Sequence, residues 1–282
     1  MNQAIWAGLL ASFIAGGVGT AAGAGGVFIF RQLSARLEDA LLSVAAGIML
    51  AATFFSLLLP ALEHAEALLQ SRFPAVLLVS SGILLGAVGL WFLHQHLPHE
   101  HFIIGNDNQM KTKIRKIWLF IMAITLHNFP EGMAVGVAFA GSDPANAITL
   151  ATGIGLQNIP EGLAVAASLL SINHSRLSAF VIAALTGMVE PIGGLIGASL
   201  GIVSVAMLPC MLGLAAGAML FVISHEIIPE THRRGYEHLA TFSLIAGFIV
   251  MMILDASANS VLTGTNYAIT RCNHVPASLC YI

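Results

Sequence analysis

Two nearly identical heptapeptides, LHNFPEG and LQNIPEG, lie thirty residues apart inside apolar sequence. In a helix His127 and Glu131 share one face because they are four residues apart, and so do Gln157 and Glu161. If two antiparallel helices present these faces to each other, carboxylate, imidazole and amide groups gather around one point. Imidazole nitrogen with carboxylate oxygen suits Zn²⁺ or another divalent first-row metal. The repeated heptapeptide therefore predicts two halves of a metal site.

Asn128 and Asn158 adjoin the same two helix faces, three residues before the glutamates. Their amide oxygens can ligate a metal directly, or their side chains can hold the ligands in place by hydrogen bonding. The spacing leaves both roles open.

The acidic residues at unusual positions extend this pattern. Of fourteen Asp and Glu residues, five lie within long apolar stretches that contain no Lys or Arg: Glu131, Glu161, Glu190, Glu226 and Asp255. A carboxylate at a bilayer centre costs about 2.5–3.5 kcal/mol on insertion scales, so such groups pair or line a functional cavity. Without a basic partner, the partner must be protons or an external cation. Glu190, beside Pro191, is the predicted third carboxylate and would bridge a second metal.

The elements that must position these residues are membrane-spanning helices. The 282-residue chain is 57% hydrophobic and only 9% charged, with a mean hydropathy of +0.87, whereas soluble domains carry about 25% charged residues. Crossing the hydrocarbon core takes about 20 residues of helix. Eight apolar stretches meet that length: 4–30, 39–61, 74–97, 117–140, 145–170, 178–201, 206–229 and 238–262. We therefore expect an all-α polytopic protein embedded in a lipid bilayer.

Pro130 and Pro160 lack an amide hydrogen, so the carbonyls of Leu126 and Leu156 lose their usual helical donors. Freed carbonyls at membrane depth are tolerated only where they face protein or a polar cavity. We expect kinks there, next to the carboxylates.

Basic residues set the topology. With the N-terminus outside, nine of the eleven Lys and Arg residues fall in cytoplasmic segments, which is a strong positive-inside bias. This predicts an inner-membrane protein with both termini extracytoplasmic. We expect one eight-helix transmembrane domain, 1–262, with a cytoplasmic loop at about 94–116 carrying His94, His96, His99 and His101, and an extracytoplasmic tail, 263–282. In that tail Cys272 and Cys280 form a disulfide or remain free thiols.

A second internal similarity relates AAGIML at 45–50 to AAGAML at 215–220, and each segment is followed by a proline, Pro60 or Pro229. The second and seventh helices run in opposite directions. This similarity therefore predicts an inverted 3+2+3 arrangement, in which helices 1–3 and 6–8 flank helices 4–5. Such inverted repeats are typical of transporters.

Polar groups also lie on both sides of the predicted metal site, toward the ends of the membrane-spanning helices. SHEIIPETH places His225 and Glu226 at the cytoplasmic end of the seventh helix, as an exit relay, a secondary metal site or a solvated helix end. Asp255 and Glu63 lie toward the exterior and are predicted entrance groups.

On these residues the sequence resembles the ZIP (Zrt-, Irt-like protein) family of divalent-metal transporters, in its prokaryotic, GufA-like branch. HNFPEG, QNIPEG and VEPIGG carry the resemblance, which covers all eight spans. It implies uptake of Zn²⁺, with Cd²⁺, Fe²⁺ or Mn²⁺ as further substrates, by elevator-like alternating access in a homodimer.

The resemblance also implies a binuclear site. One metal position would comprise His127, Glu131, Gln157, Glu161 and Met49, and the other Asn128, Glu131, Asn158, Glu161 and Glu190. It makes Ser56 a pathway residue and His225 with Glu226 a cytoplasmic-side metal site. Many family members have His at the position of Gln157 and some have Asp at that of Asn158, so weaker binding and relaxed selectivity are expected.

Other functions are less compatible with the sequence. An ion channel uses similar residues and stays open as an alternative. An intramembrane metallohydrolase is disfavoured because His225-Glu226 lacks the second histidine of HExxH. No glycine-rich phosphate loop precedes the lysines, which argues against a primary pump. No basic stripe suggests nucleic acid, and no organic cofactor or enzymatic activity is expected.

Overall fold

In a computed structural model the chain is described over residues 3–30, 33–96, 109–141, 143–203 and 205–273, and every regular element there is helical. The prediction of an all-α protein is confirmed. His99, His101 and Cys280, together with the side chains of His94, His96 and Cys272, lie outside the described part. Their predicted roles stay predictions.

Eight helical runs match the eight predicted stretches. They are α1 (Gln3–Phe28), α2 (Ala35–Leu69), α3 (Arg72–His96), α4 (Gln109–Ala140), α5 (Pro144–Leu170), α6 (Arg176–Gly187 and Glu190–Val203), α7 (Leu208–Thr231) and α8 (Glu237–Asn273). Six of them, within the described ranges, are long and apolar enough to cross a membrane. The other two, α4 and α5, carry the repeated heptapeptides. With 32 and 27 residues, they measure about 48 Å and 40 Å. The chain is thus a multi-pass membrane protein, and its last helix continues beyond residue 262, where the predicted tail begins.

In the described parts of the chain three helices contain a π-helical segment, a local widening that often marks functional sites. These segments are Phe13–Val18 in α1, Thr53–Leu58 in α2 and Ile223–Ile227 in α7. The segments of α2 and α7 each precede a proline, Pro60 or Pro229. They also start 170 residues apart, at 53 and 223, the offset that separates the motifs starting at 45 and 215.

The prolines near the carboxylates act differently from one another. Pro130 and Pro160 lie inside continuous helices, so the kinks expected there do not interrupt α4 or α5. By contrast α6 breaks at Met188 and Val189, and its second segment begins at Glu190. Pro191 then occupies the first turn, where no intrahelical donor is needed.

The helices pack in two groups. In one, α4 and α5 pack against α6 and α1; in the other, α2 packs against α8 and α3 against α7. The two groups meet mainly through α2 with α5 and α7 with α4. The main apolar core lies at this junction and includes Met49, Ala52, Leu150, Ile154 and Met219. All the acidic residues of the predicted central site belong to the first group.

Candidate metal centre

The centre is built around α4 and α5, where His127, Glu131 and Glu161 come together. Each offers one ligand atom, and these three atoms lie within 4.8 Å of one another. All three side chains are buried. His127 Nε2 lies 3.5 Å from Glu161 Oε2, across the two helices. The helical i, i+4 spacing predicted in α4 is thus combined with a carboxylate of α5.

Gln157 completes the contact between α4 and α5. Its Nε2 donates to Glu131 Oε1 at 2.5 Å, and its Oε1 is buried without a hydrogen-bond partner among the described residues. Because the amide nitrogen faces a carboxylate, the amide oxygen points elsewhere. Gln157 therefore stabilises Glu131 by a hydrogen bond and still presents an oxygen.

Glu190 enters the centre from the break in α6. Its Oε1 accepts from Asn158 Nδ2 at 2.7 Å, and that amide nitrogen also donates to the main-chain carbonyl of Ala15 in α1, at 3.1 Å. Asn158 thus joins α5, α6 and the π-helical segment of α1. Glu190 and Asn158 are completely buried.

Asn128 is held in a similar way. Its Nδ2 donates to the Thr186 carbonyl, just before the break in α6, at 3.0 Å. In both asparagines the nitrogen is committed to protein oxygens, and the amide Oδ1 is buried without a partner in the described chain. Fixed amide nitrogens leave these oxygens as acceptors, which is the orientation a cation requires.

The unpartnered polar atoms define what the centre can do. Among the described residues of α4, α5 and α6 that form the centre, the buried oxygens that accept no hydrogen bond are Glu131 Oε2, both oxygens of Glu161, Glu190 Oε2, and the amide oxygens of Asn128, Gln157 and Asn158. Buried polar atoms in native proteins almost always have partners. No Lys or Arg pairs with these glutamates in the described part of the chain. A divalent cation satisfies such a set of oxygens together with the imidazole of His127.

The glycines of the two heptapeptides allow the helices to approach closely. A Cβ at Gly132 would strike the main chain of Glu190 in α6, and one at Gly162 would strike the main chain of Thr20 in α1. Gly16 faces the Glu190 side chain in the same manner. The repeated Pro-Glu-Gly therefore supplies a ligand and, one residue later, the contact that brings the neighbouring helix against it.

Near the end of α7, in its π-helical segment, Glu226 reaches the centre and His225 faces away from Glu226's contact with His127. Glu226 Oε2 lies 3.7 Å from His127 Nδ1, so the imidazole sits between two carboxylates of α5 and α7. The exposed His225 ring packs on Phe221, with ring centroids 4.9 Å apart. The two neighbouring side chains thus have different surroundings, and their role as a secondary metal site stays a prediction.

In the predicted entrance, Ser56 Oγ donates to Asp255 Oδ1 at 3.3 Å, which joins α2 to α8. Glu63 is exposed, one turn beyond Pro60. Met49 is completely buried in the main apolar core, and its carbonyl accepts from Thr53. Its role as a soft metal contact stays a prediction.

An ion-pair cluster between the start of α2 and the end of α7 was not anticipated from the sequence. Arg234 Nη1 lies 2.8 Å from Glu38 Oε2 and 3.4 Å from Asp39 Oδ1, while its Nη2 donates to Glu230 at 2.9 Å. Burial disfavours the charged guanidinium, but these carboxylates outweigh burial and raise the pKa of Arg234. Acidic Glu38-Asp39 at a helix start was the only sequence signal.

Comparisons with known proteins agree with this geometry. Residues 94–255 match the family model described as ZIP Zinc transporter. Zinc transporter GufA of Myxococcus xanthus is 44% identical over 89% of this chain and 98% of its own length. Zinc transporter ZIPB of Bordetella bronchiseptica is 43% identical over 86% of this chain and 79% of its own. Human zinc transporter ZIP11 is 32% identical over 90% of this chain and 98% of its own.

Proposed function

The chain belongs to the ZIP zinc transporter family, and from that premise we propose that it carries Zn²⁺ across the membrane into the cytoplasm. The observation that carries the proposal is the buried cluster of His127, Glu131 and Glu161, whose ligand atoms lie within 4.8 Å of one another. Membership of a transporter family also confirms the prediction that the chain is not an enzyme. The mixed oxygen and nitrogen donors suit Cd²⁺, Fe²⁺ and Mn²⁺ as secondary substrates.

We propose a binuclear site. The first metal binds His127, Glu131 and Glu161 with the amide oxygen of Gln157. A second is held by Asn128, Asn158 and Glu190, sharing the two central glutamates. The buried, unpartnered oxygens of both asparagines and of Glu190 support this second position. This second position has no imidazole and relies on two neutral amide oxygens, so it binds zinc more weakly than the first.

We propose that the substrate moves by alternating access, with an elevator-like shift between the two helix groups. The central ligands belong to α4, α5 and α6, whereas Ser56, Asp255 and Glu226 belong to the other group. Metal then passes from the extracytoplasmic Ser56 and Asp255 to the central cluster and leaves past Glu226. The matched π-helical segments of α2 and α7 support the inverted 3+2+3 repeat behind such a mechanism.

The charge distribution and the family resemblance support proposals for the location, topology and oligomeric state of this transporter. The strong positive-inside bias supports an inner-membrane location with both termini extracytoplasmic. A homodimer is the expectation that the family resemblance provides.

Uptake of radiolabelled zinc into proteoliposomes tests the proposal. Glu131→Ala and Glu161→Ala each remove a central carboxylate and should abolish saturable uptake. Glu66→Ala, an exposed carboxylate of α2, is the matched control and should transport normally. Undiminished flux in both site variants would refute the proposed site.

The same vesicles separate a carrier from a channel. Unlabelled zinc inside should accelerate uptake of labelled zinc, because an alternating-access carrier returns faster when loaded. Flux that ignores internal zinc and carries current would favour the channel.

A further inference from the structure

The main-chain carbonyl of Ser56 has lost its ordinary helical partner. Pro60 lies four residues later and has no amide hydrogen to donate. The π-helical segment Thr53–Leu58 surrounds the same carbonyl. In its place Asn146 Nδ2, from α5, donates to the Ser56 carbonyl at 3.0 Å. A defect within one helix is thus satisfied by a side chain of another.

Asn146 is held in place for this contact. It lies in the first turn of α5, where Asp143 Oδ1 caps the helix by accepting from the amide groups of Ala145 and Asn146, at 3.1 and 3.0 Å. The cap fixes the main chain, so the half-buried amide side chain projects from a rigid base.

The contact continues into the entrance. Ser56 accepts from Asn146 through its carbonyl and donates to Asp255 through its hydroxyl. A chain of hydrogen bonds therefore runs from α5 through α2 to α8. Asn146 is the only one of these three residues that belongs to the helix group carrying the central ligands.

The surrounding contacts between α2 and α5 have a different character. Below Asn146 the two helices meet through apolar residues of the main core, such as Ala52, Leu150 and Ile154. Apolar contacts are non-directional and tolerate sliding. A hydrogen bond is directional, so the Asn146 contact fixes the register of α5 against α2 at the extracytoplasmic end.

We propose that Asn146 is a positioning residue that latches the extracytoplasmic entrance shut. Its bond to the Ser56 carbonyl breaks whenever the central ligands become accessible from outside. Release then presents the Ser56 carbonyl beside the Ser56 hydroxyl and the Asp255 carboxylate, three oxygens suited to an incoming hydrated divalent cation. This inference rests on the proposed transport function, because it assigns the latch to the outward-opening step.

The test measures access from outside. In a background with Cys210, Cys272 and Cys280 changed to Ser, Thr149→Cys provides a near-isosteric buried thiol one turn below Asn146. A membrane-impermeant maleimide added outside reports opening as a labelling rate. Asn146→Leu should raise that rate about three- to tenfold, as expected for the loss of one hydrogen bond. Asn146→Asp, which puts a carboxylate against the carbonyl, should raise it further.

Pro60→Ala supplies the discriminating measurement. It returns a helical amide donor to the Ser56 carbonyl, so the carbonyl no longer depends on Asn146. In this background Asn146→Leu should add less than about twofold, since the two changes remove the same latch. A merely structural asparagine would give independent effects. Thr152→Val removes a hydroxyl bonded within α5 and should label like the parent.

The outcomes separate the two proposals. If the parent takes up zinc and both Asn146 variants are labelled at the parent's rate, the latch is wrong and the transport function stands. Additive effects of Pro60→Ala and Asn146→Leu on the labelling rate would lead to the same conclusion. Absence of zinc uptake in the native chain would overturn the proposed function instead. Zinc binding by the variants in detergent shows that the central cluster remains folded.

Discussion

Replacing Asn158 by aspartate tests the second metal position most directly. Asn158 Nδ2 lies 2.7 Å from Glu190 Oε1 and 3.1 Å from the Ala15 carbonyl. In Asn158→Asp an oxygen replaces this donor, so both hydrogen bonds are lost and two carboxylates face each other in a buried site. Close carboxylates repel strongly unless a cation or proton lies between them.

The lost bonds set the magnitude. A hydrogen bond to a charged group contributes about 1.5–3 kcal/mol and a neutral one about 0.5–1.5 kcal/mol. We therefore expect the metal-free variant to lose about 3 kcal/mol of unfolding free energy, before any repulsion. That corresponds to about 6–12 °C in melting temperature, at roughly 2–4 °C per kcal/mol for a large domain. Zinc at a hundred times its dissociation constant returns about 2.7 kcal/mol.

Thermal melts in detergent, with chelator or with increasing zinc concentrations, measure the loss and recovery of stability. Equilibrium dialysis counts the bound ions. Asn158→Asp should be less stable than native protein without zinc, recover with zinc and hold the second ion more tightly. Asn158→Leu loses the same bonds without gaining a ligand, so it should recover less, through the first metal position alone. Asn173→Asp, an exposed loop residue with φ of 65°, is the matched control. If zinc rescues Asn158→Asp no better than Asn158→Leu, the second position is wrong.

Three further changes test other parts of the structure. Gly132→Ala should lower the melting temperature, because its Cβ overlaps the main chain of Glu190 at a cost of about 1–3 kcal/mol, whereas Gly89→Ala, with open space around it, should be neutral or slightly stabilising. Arg234→Gln should cost about 3 kcal/mol in denaturant unfolding by stranding buried carboxylates, while Arg233→Gln, 57% exposed at its side chain, should cost under about 1 kcal/mol. Gln157→His should increase the preference for zinc over manganese in competition uptake, because imidazole favours zinc.

Much of the centre follows from local periodicity. The shared face of His127 and Glu131 depends only on the helical repeat. Two copies of Pro-Glu-Gly in apolar sequence indicate that both copies serve the same site. The ends of the eight spans were likewise predicted to within a few residues in most cases. These features are local, so the sequence encodes them directly.

The remaining features depend on tertiary contacts. Nothing local shows that Glu226 meets His127 while His225 turns away, because this orientation arises in the π-helical segment of α7. The partner of Asn158 in α1 and the buried pairing of Arg234 with Asp39 also depend on how distant helices pack. The prolines illustrate the same limit: Pro130 and Pro160 are accommodated inside helices, whereas a break forms at Met188 and Val189, before Pro191.

The two ends of the route occupy matching positions but differ in chemistry. Ser56 and Glu226 lie 170 residues apart, each inside the π-helical segment of its helix. The Ser56 position offers a neutral hydroxyl and a carbonyl bonded to Asn146, whereas the Glu226 position offers a carboxylate 3.7 Å from His127. Such an asymmetry cannot drive net uptake, since a ligand shifts an equilibrium only by its differential affinity for two states. Under the proposed mechanism, gradients and cytoplasmic chelation set the direction, and Glu226 and Asn146 govern how readily each side opens.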